Sequence, residues 1–302
     1  MRFGVVMPDV AIVAIAGVAA AASACAPGGA RECVIGADCP TGVCRDGMCA
    51  PAADAGSAGD AGEPDRDAAV TCANADGVIA RDEVPLAAGL RATFRVATDA
   101  PIDTAGATRA DGKRVWDLSG VLPGDRDVEV ELMPVDGAWF AGAFAGATYA
   151  APLSSTADLL GVFEATGGSL LLRGVVSPEG GAGRTELTYE PPVPALAFPI
   201  EVGSAWQVTA QVSGTAAGVP ALYSERYRYT ADAAGQLATP FGTFDVVRIR
   251  AELTRTAGAA VTTSRTYLFV SECFGVVASI VSNDYEPDVE FDTAREVRRL
   301  AP

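Results

Sequence analysis

Histidine is missing from all 302 residues, which removes the side chain most used for acid–base catalysis near neutrality and the commonest metal ligand. Ser-His-Asp and Cys-His nucleophile systems are therefore excluded. Chemistry that needs no imidazole stays open: paired carboxylates of glycosidase type, Ser-Lys nucleophiles and oxygen-ligand calcium sites. Lysine is nearly missing too, with Lys113 alone, and 22 basic residues face 38 acidic ones for a formal charge of −16. Such a balance repels nucleic acid and anionic headgroups over most of the surface, and no basic stripe in the sequence offsets it. Nucleic acid is not an expected partner. The chain also lacks a G-x-S-x-G elbow, a G-x-x-x-x-G-K-[ST] phosphate loop and any C-x-x-C pair, so three common chemical signatures are absent.

What is present begins with an export address. Arg2 gives a thin positive start, Val10 to Ala22 is an unbroken apolar run, and Ala22-Ser23-Ala24 places small residues before Cys25. This is the layout of a secretory signal peptide over residues 1–24, and the run is shorter than the roughly 20 residues a spanning helix needs. Ala-Ser-Ala-Cys resembles a bacterial lipobox, whose cysteine is acylated and becomes the first mature residue, although Ala22 stands where leucine is preferred and ordinary signal peptidase also accepts Ala-Ser-Ala. Cysteine parity favours the lipid: the chain has seven cysteines, and an oxidising compartment leaves an odd one unpaired or modified. Lipidation of Cys25 leaves Cys33, Cys39, Cys44, Cys49, Cys72 and Cys273 for three disulfides. The resemblance further implies anchoring to the cell envelope, with Ala26 after the cysteine as in the outer-membrane class.

Residues 25–32 form the tether, and residues 33–49 hold four cysteines separated by five, four and four residues. So short a stretch builds no core, and two disulfides are expected to hold it, in a connectivity the spacing leaves open. It resembles the cysteine knots with a D-C-P-x-G-x-C-x-x-G-x-C pattern that follow the anchor in bacterial surface lipoproteins. A four-thiolate zinc site is disfavoured by the spacing and by oxidation on export. Residues 50–70 carry almost only Ala, Asp, Gly, Pro, Ser and Glu, the composition of a flexible acidic linker.

Residues 71–302 read as a mainly β domain, a curved antiparallel sheet of half-barrel or sandwich type. Leu90, Ala92, Phe94 and Val96 alternate with polar or small residues, as do Val128, Val130 and Leu132. Asp111-Gly112 and Gly167-Gly168 mark hairpin turns, the second between 159–165 and 169–176. Trp206, Val208, Ala210 and Val212 share one strand face before a turn at 214–218. Tyr223, Glu225, Tyr227 and Tyr229 share the next, a pattern of core packing or of an aromatic sugar-binding face. Strands are expected at 244–254, 261–270, 275–282 and 289–298, with 293–300 also readable as a short terminal helix. The cysteines left over, Cys72 and Cys273, are expected to pair and close a loop of 200 residues, a stabilisation of about 4 to 5 kcal/mol in the chain-entropy model.

FPIEVGSAW (198–206), TPFGTFDVVRIR (239–250) and FGVVASIVS (274–282) resemble segments of exported half-barrel β proteins, the DUF3108-like and LolA/LolB-like group. The resemblance covers about a third of the chain and implies a concave face that accepts acyl chains, with no catalytic residue. Separately, CANADGVIARDE (72–83) aligns with a calcium loop, placing Asn74, Asp76 and Glu83 at ligand positions and Gly77 at the sharp turn. Cys72 replaces the opening Asp and no amphipathic helices flank the loop, so an Asp-Gly turn into the first strand explains the same residues. No other cofactor is implied. The expected function is that of a non-enzymatic envelope lipoprotein whose β domain binds an apolar ligand or protein partner, or acts as a scaffold. A calcium- or carbohydrate-binding module is the alternative, followed by a histidine-free hydrolase.

Overall fold

The structure, a computed structural model, describes residues 44–45, 48–49, 74, 76–110 and 112–302. The expected signal peptide, Cys25, Cys33, Cys39, the linker and Cys72 lie outside the described residues. Residues 44–45, 48–49 and 74 belong to one compact unit and the remainder to another. In the first, β1 (Cys44–Arg45) pairs antiparallel with β2 (Met48–Cys49), Cys44 opposite Cys49.

The second unit is one sheet of fourteen strands. In chain order these are β3 (Arg91–Pro101), β4 (Ala107–Thr108), β5 (Arg114–Asp117), β6 (Arg126–Glu131), β7 (Tyr149–Pro152), β8 (Leu160–Ala165), β9 (Ser169–Val176), β10 (Glu186–Ala197), β11 (Ala205–Ala216), β12 (Val219–Ala238), β13 (Thr243–Ala257), β14 (Ala260–Ser271), β15 (Gly275–Ser282) and β16 (Thr293–Ala301). From β7 to β16 each strand pairs antiparallel with the next, and β16 then pairs with β3 and β3 with β6. The two ends meet through one bridge just past β6, where Met133 and Ala150 exchange backbone hydrogen bonds of 2.8 and 2.9 Å. The expected curved antiparallel sheet is thus present and bends almost to closure, which leaves hardly any free strand edge.

Alternation decides what faces inward. On β12 the side chains of Tyr223, Glu225, Tyr227 and Tyr229 are buried while Leu222, Arg226 and Arg228 are exposed. Inward positions on neighbouring strands, Ile249, Leu268 and Leu300, are buried with them. The outward face of β14 is covered in turn by the segment carrying β4 and β5, where Trp116 meets Phe269 edge-on at 5.1 Å, and by the connection before β16, where Phe291 stacks on Tyr267 at 5.8 Å. β5 reaches the sheet by pairing in parallel with the end of β12. That approach needs Gly235, where a Cβ would lie 2.0 Å from the Arg114 carbonyl oxygen. A smaller apolar cluster, Val135, Phe140 and Phe144, packs against Leu160, Val162 and Val176.

Two expectations are corrected. The segment 293–300 is no helix but the body of β16, because β15 and β3 both offer it a ladder, and sheet pairing overrides the helical preference of its Ala, Glu, Arg and Leu residues. The strand also starts later than expected, at Thr293. The turn placed at 214–218 is tighter: β11 runs through Gly214 to Ala216, and Ala217-Gly218, both at positive φ, close a two-residue hairpin.

Candidate functional site

Several buried polar nodes and one open groove carry the chemistry of the described residues; one such node pairs Arg299, wholly buried, with Asp125. Inside the barrel Arg255 donates from Nε to Glu225 Oε1 at 2.7 Å, and the Tyr227 hydroxyl donates to Glu225 Oε2 at 2.6 Å. The Arg255 guanidinium also lies 5.4 Å from the Tyr223 ring centroid. Burial and then the Glu225 carboxylate push the Tyr189, Tyr223, Tyr227 and Tyr229 hydroxyls well above the usual tyrosine range. Burial opposes the charge of Arg255, but the Glu225 carboxylate outweighs it and holds the guanidinium firmly protonated. The aromatics that could have formed a sugar-binding face are therefore core: Trp206 stacks on Tyr229 at 5.0 Å, Tyr227 on Tyr229 at 6.0 Å, and both tyrosines are 2% exposed.

Another node is Arg248. Its fork takes Asp232 at 2.9 and 3.1 Å, Glu290 at 3.2 and 2.8 Å, and the Thr104 carbonyl at 2.6 Å. Its planar face lies 4.3 Å from the Tyr267 centroid and 5.3 Å from that of Trp116. It ties the covering segment to the outside of the barrel. Burial, assisted by Glu290, pushes Tyr267 up to about 12, and Arg248 keeps the Glu290 carboxyl below the usual range against its own burial.

A further node lies on the inward face of β16, where Arg298 Nε donates to Glu296 Oε1 at 2.7 Å. Glu296 Oε2 accepts from the Ser155 amide at 2.9 Å and from its hydroxyl at 2.5 Å. Both terminal nitrogens of Arg298 and the hydroxyl of Ser279, its register partner on β15, have no hydrogen-bond partner among the described residues. Burial lowers the Arg298 pKa despite Glu296.

The groove lies on the outer face of β12–β14. It has a volume of about 250 Å³ and is lined by Arg226, Arg228, Glu252, Thr254, Thr263 and Arg265, with Leu253, Ser264 and Glu286. Strand register builds it: Arg226, Thr254 and Thr263 lie side by side across three strands, and Arg228, Glu252 and Arg265 in the next row. Glu252 is drawn toward Arg250 at 3.7 Å and Arg265 at 3.9 Å, and Glu286 Oε1 accepts the Asp288 amide at 3.1 Å. Arg226 and Arg228 have no carboxylate in ion-pair range among the described residues. The sequence shows these arginines only as outward positions of separate strands. The signal that could have found them is their i, i+2 alternation with buried tyrosines in a chain with one lysine.

The calcium candidates are placed without forming a cage. Asp76 Oδ1 accepts the Val78 amide at 2.8 Å, and Glu83, in a 3-10 turn, accepts the Ala80 amide at 2.7 Å. Asn74 belongs to the other unit. Among the described residues no group of three or more His, Cys, Asp or Glu is placed to hold a metal. Cys273 is disulfide-bonded, and its amide donates to the Glu83 carbonyl at 2.8 Å. The remaining cysteine expectations, Cys25, Cys33 and Cys39, lie outside the described residues, and for Cys44 and Cys49 only the backbone is described.

No family model matches the chain, and no curated protein does. Among solved structures it is similar to a protein from Bacteroides fragilis described as exported and as having a YmcC-like fold, at 10% identity and a TM-score of 0.24, over 70% of this chain and 92% of that one. So slight a likeness bears on neither ligand nor partner.

Proposed function

We propose that the chain is an exported, non-catalytic envelope protein, held to the membrane by a lipid on Cys25, whose barrel presents an outer surface to a partner and does not carry an acyl chain inside. The observation that carries the second half is the packing of the interior. The inward side chains Tyr227, Tyr229, Ile249 and Leu268 are 0–2% exposed, which supports a side-chain core at these positions in place of a face open to a lipid tail. Absence of catalysis is supported by the missing histidine and by the engagement of the buried carboxylates, Glu225 with Arg255 and Glu296 with Arg298. Export and the anchor rest on the N-terminal sequence.

Two readouts on the full chain test this. Radiolabelled palmitate fed to a bacterial expression host should label the wild type and not Cys25→Ser, and recovery of unlabelled wild type in the soluble periplasm would overturn the anchor. Native mass spectrometry after detergent release should show a protein mass free of any non-covalent lipid. A lipid mass removable by organic extraction would restore interior carriage.

A further inference from the structure

We infer that the groove on the outer face of β12–β14 is a binding site for a phosphate-bearing group. This goes beyond the proposed function, since the groove could serve an anchored or a free protein, and it rests on three observations.

The first is charge. Three arginines face two glutamates across the groove, a local excess of positive charge on a chain of formal charge −16. Arginines concentrated where the rest of the molecule is acidic focus a positive potential that draws an anion to this spot and repels it elsewhere. The second is availability. Arg226 and Arg228 are exposed, stand on the same face of β12 two residues apart, and engage no carboxylate among the described residues. Arg265, 13% exposed at its side chain, has a buried Nε with no hydrogen-bond partner among the described residues and a donation to the Asp288 carbonyl that fixes its position. Guanidinium forks of this kind match the oxygen geometry of phosphate, and two threonine hydroxyls beside them add neutral donors. The third is size. A volume of about 250 Å³ is below the usual 300–1,000 Å³ of sites for drug-sized ligands. It suits one phosphorylated group, not a folded segment or a long apolar chain.

A phosphate group reaches such a site either on a small soluble molecule or on a lipid headgroup, and two probes separate the sources. Isothermal titration of the full chain with inorganic phosphate, and in parallel with a short-chain phosphatidylglycerol kept below its micelle threshold, is to be compared with the Arg226→Gln/Arg228→Gln double variant. Both substitutions are at exposed strand positions, and the variant's melting curve checks that the barrel is intact. Saturable binding of phosphate that weakens about tenfold per arginine lost supports a soluble ligand. Binding of the lipid alone, with the same loss in the variant, supports a headgroup. Silence with both probes, or affinity unchanged in an intact double variant, overturns the site. Acetate bound as tightly as phosphate overturns the assignment to phosphate.

Discussion

Arg255 and Glu225 form an ion pair closed off from solvent inside the barrel, Nε to Oε1 at 2.7 Å, with Glu225 wholly buried and Arg255 6% exposed. Two charges in such a place gain from each other roughly what they lose in hydration, so the pair adds little as a pair, while either partner alone is costly. Glu225→Leu should therefore destabilise by about 3 to 5 kcal/mol, because it takes the carboxylate at 2.7 Å away from a buried guanidinium. The double variant Glu225→Leu/Arg255→Met should recover most of that loss. Urea unfolding of the four proteins reads the coupling directly; losses that simply add would show that the two residues do not act together.

Alkaline pH should unfold the barrel through its tyrosines. Burial raises the pKa of Tyr149, Tyr189, Tyr227 and Tyr229, each closed off from solvent, and pushes Tyr267 up to about 12. A tyrosine of raised folded pKa contributes stability that is complete below the unfolded value of about 10 and is lost as pH rises from there through the folded value. Melting temperature should hold up to about pH 10 and fall steeply above it. Absorbance at the phenolate band should rise together with loss of the β signal in circular dichroism. Phenolate formed well before the sheet melts would mean that these hydroxyls are open to solvent.

The strands legible in the sequence were those whose two faces differ in chemistry. β15 is found at its exact bounds, and β8 with β9 appear as a hairpin around Gly167-Gly168 because turn residues sit between two apolar runs. β10 gives no such signal. Pro191, Pro192 and Pro194 argue against a strand, and the structure accommodates the first two where the β9 ladder skips from Thr188 to Val193, so their missing N–H groups cost no bond there. The groove was illegible for another reason. Arg228, Glu252 and Arg265 become neighbours only through the register of β12, β13 and β14, and register over such separations depends on the turns between strands, not on any local pattern.

Gly235 is expected to be among the least replaceable glycines of the long hairpins. A Cβ there would sit 2.0 Å from the Arg114 carbonyl oxygen, so Gly235→Ala must push β5 off β12. The displaced segment carries Trp116, which is 1% exposed and donates from Nε1 to the Thr104 carbonyl at 3.0 Å. Overpacking of this kind costs about 1 to 3 kcal/mol. The expected outcome is a lower melting temperature together with a red-shifted, more quenchable tryptophan emission as Trp116 meets water. A drop in stability with emission unchanged would place the strain elsewhere.

Cys273 is disulfide-bonded, and its amide donates to the Glu83 carbonyl at 2.8 Å, so the turn between β14 and β15 lies against the start of the barrel domain. Of the cysteines outside the knot and the expected anchor, only Cys72 remains as a mate. Peptide mapping without reduction should recover the two peptides joined, and reduction should release both. The bridge would close a loop of 200 residues, for which restriction of the unfolded chain gives about 4 to 5 kcal/mol. Cys72→Ala and Cys273→Ala should each lower stability by a comparable amount, and the double variant by no more than either, since one bond is lost in all three. A joined peptide pairing Cys273 with any cysteine of residues 33–49 would refute the assignment and tie the knot directly to the barrel.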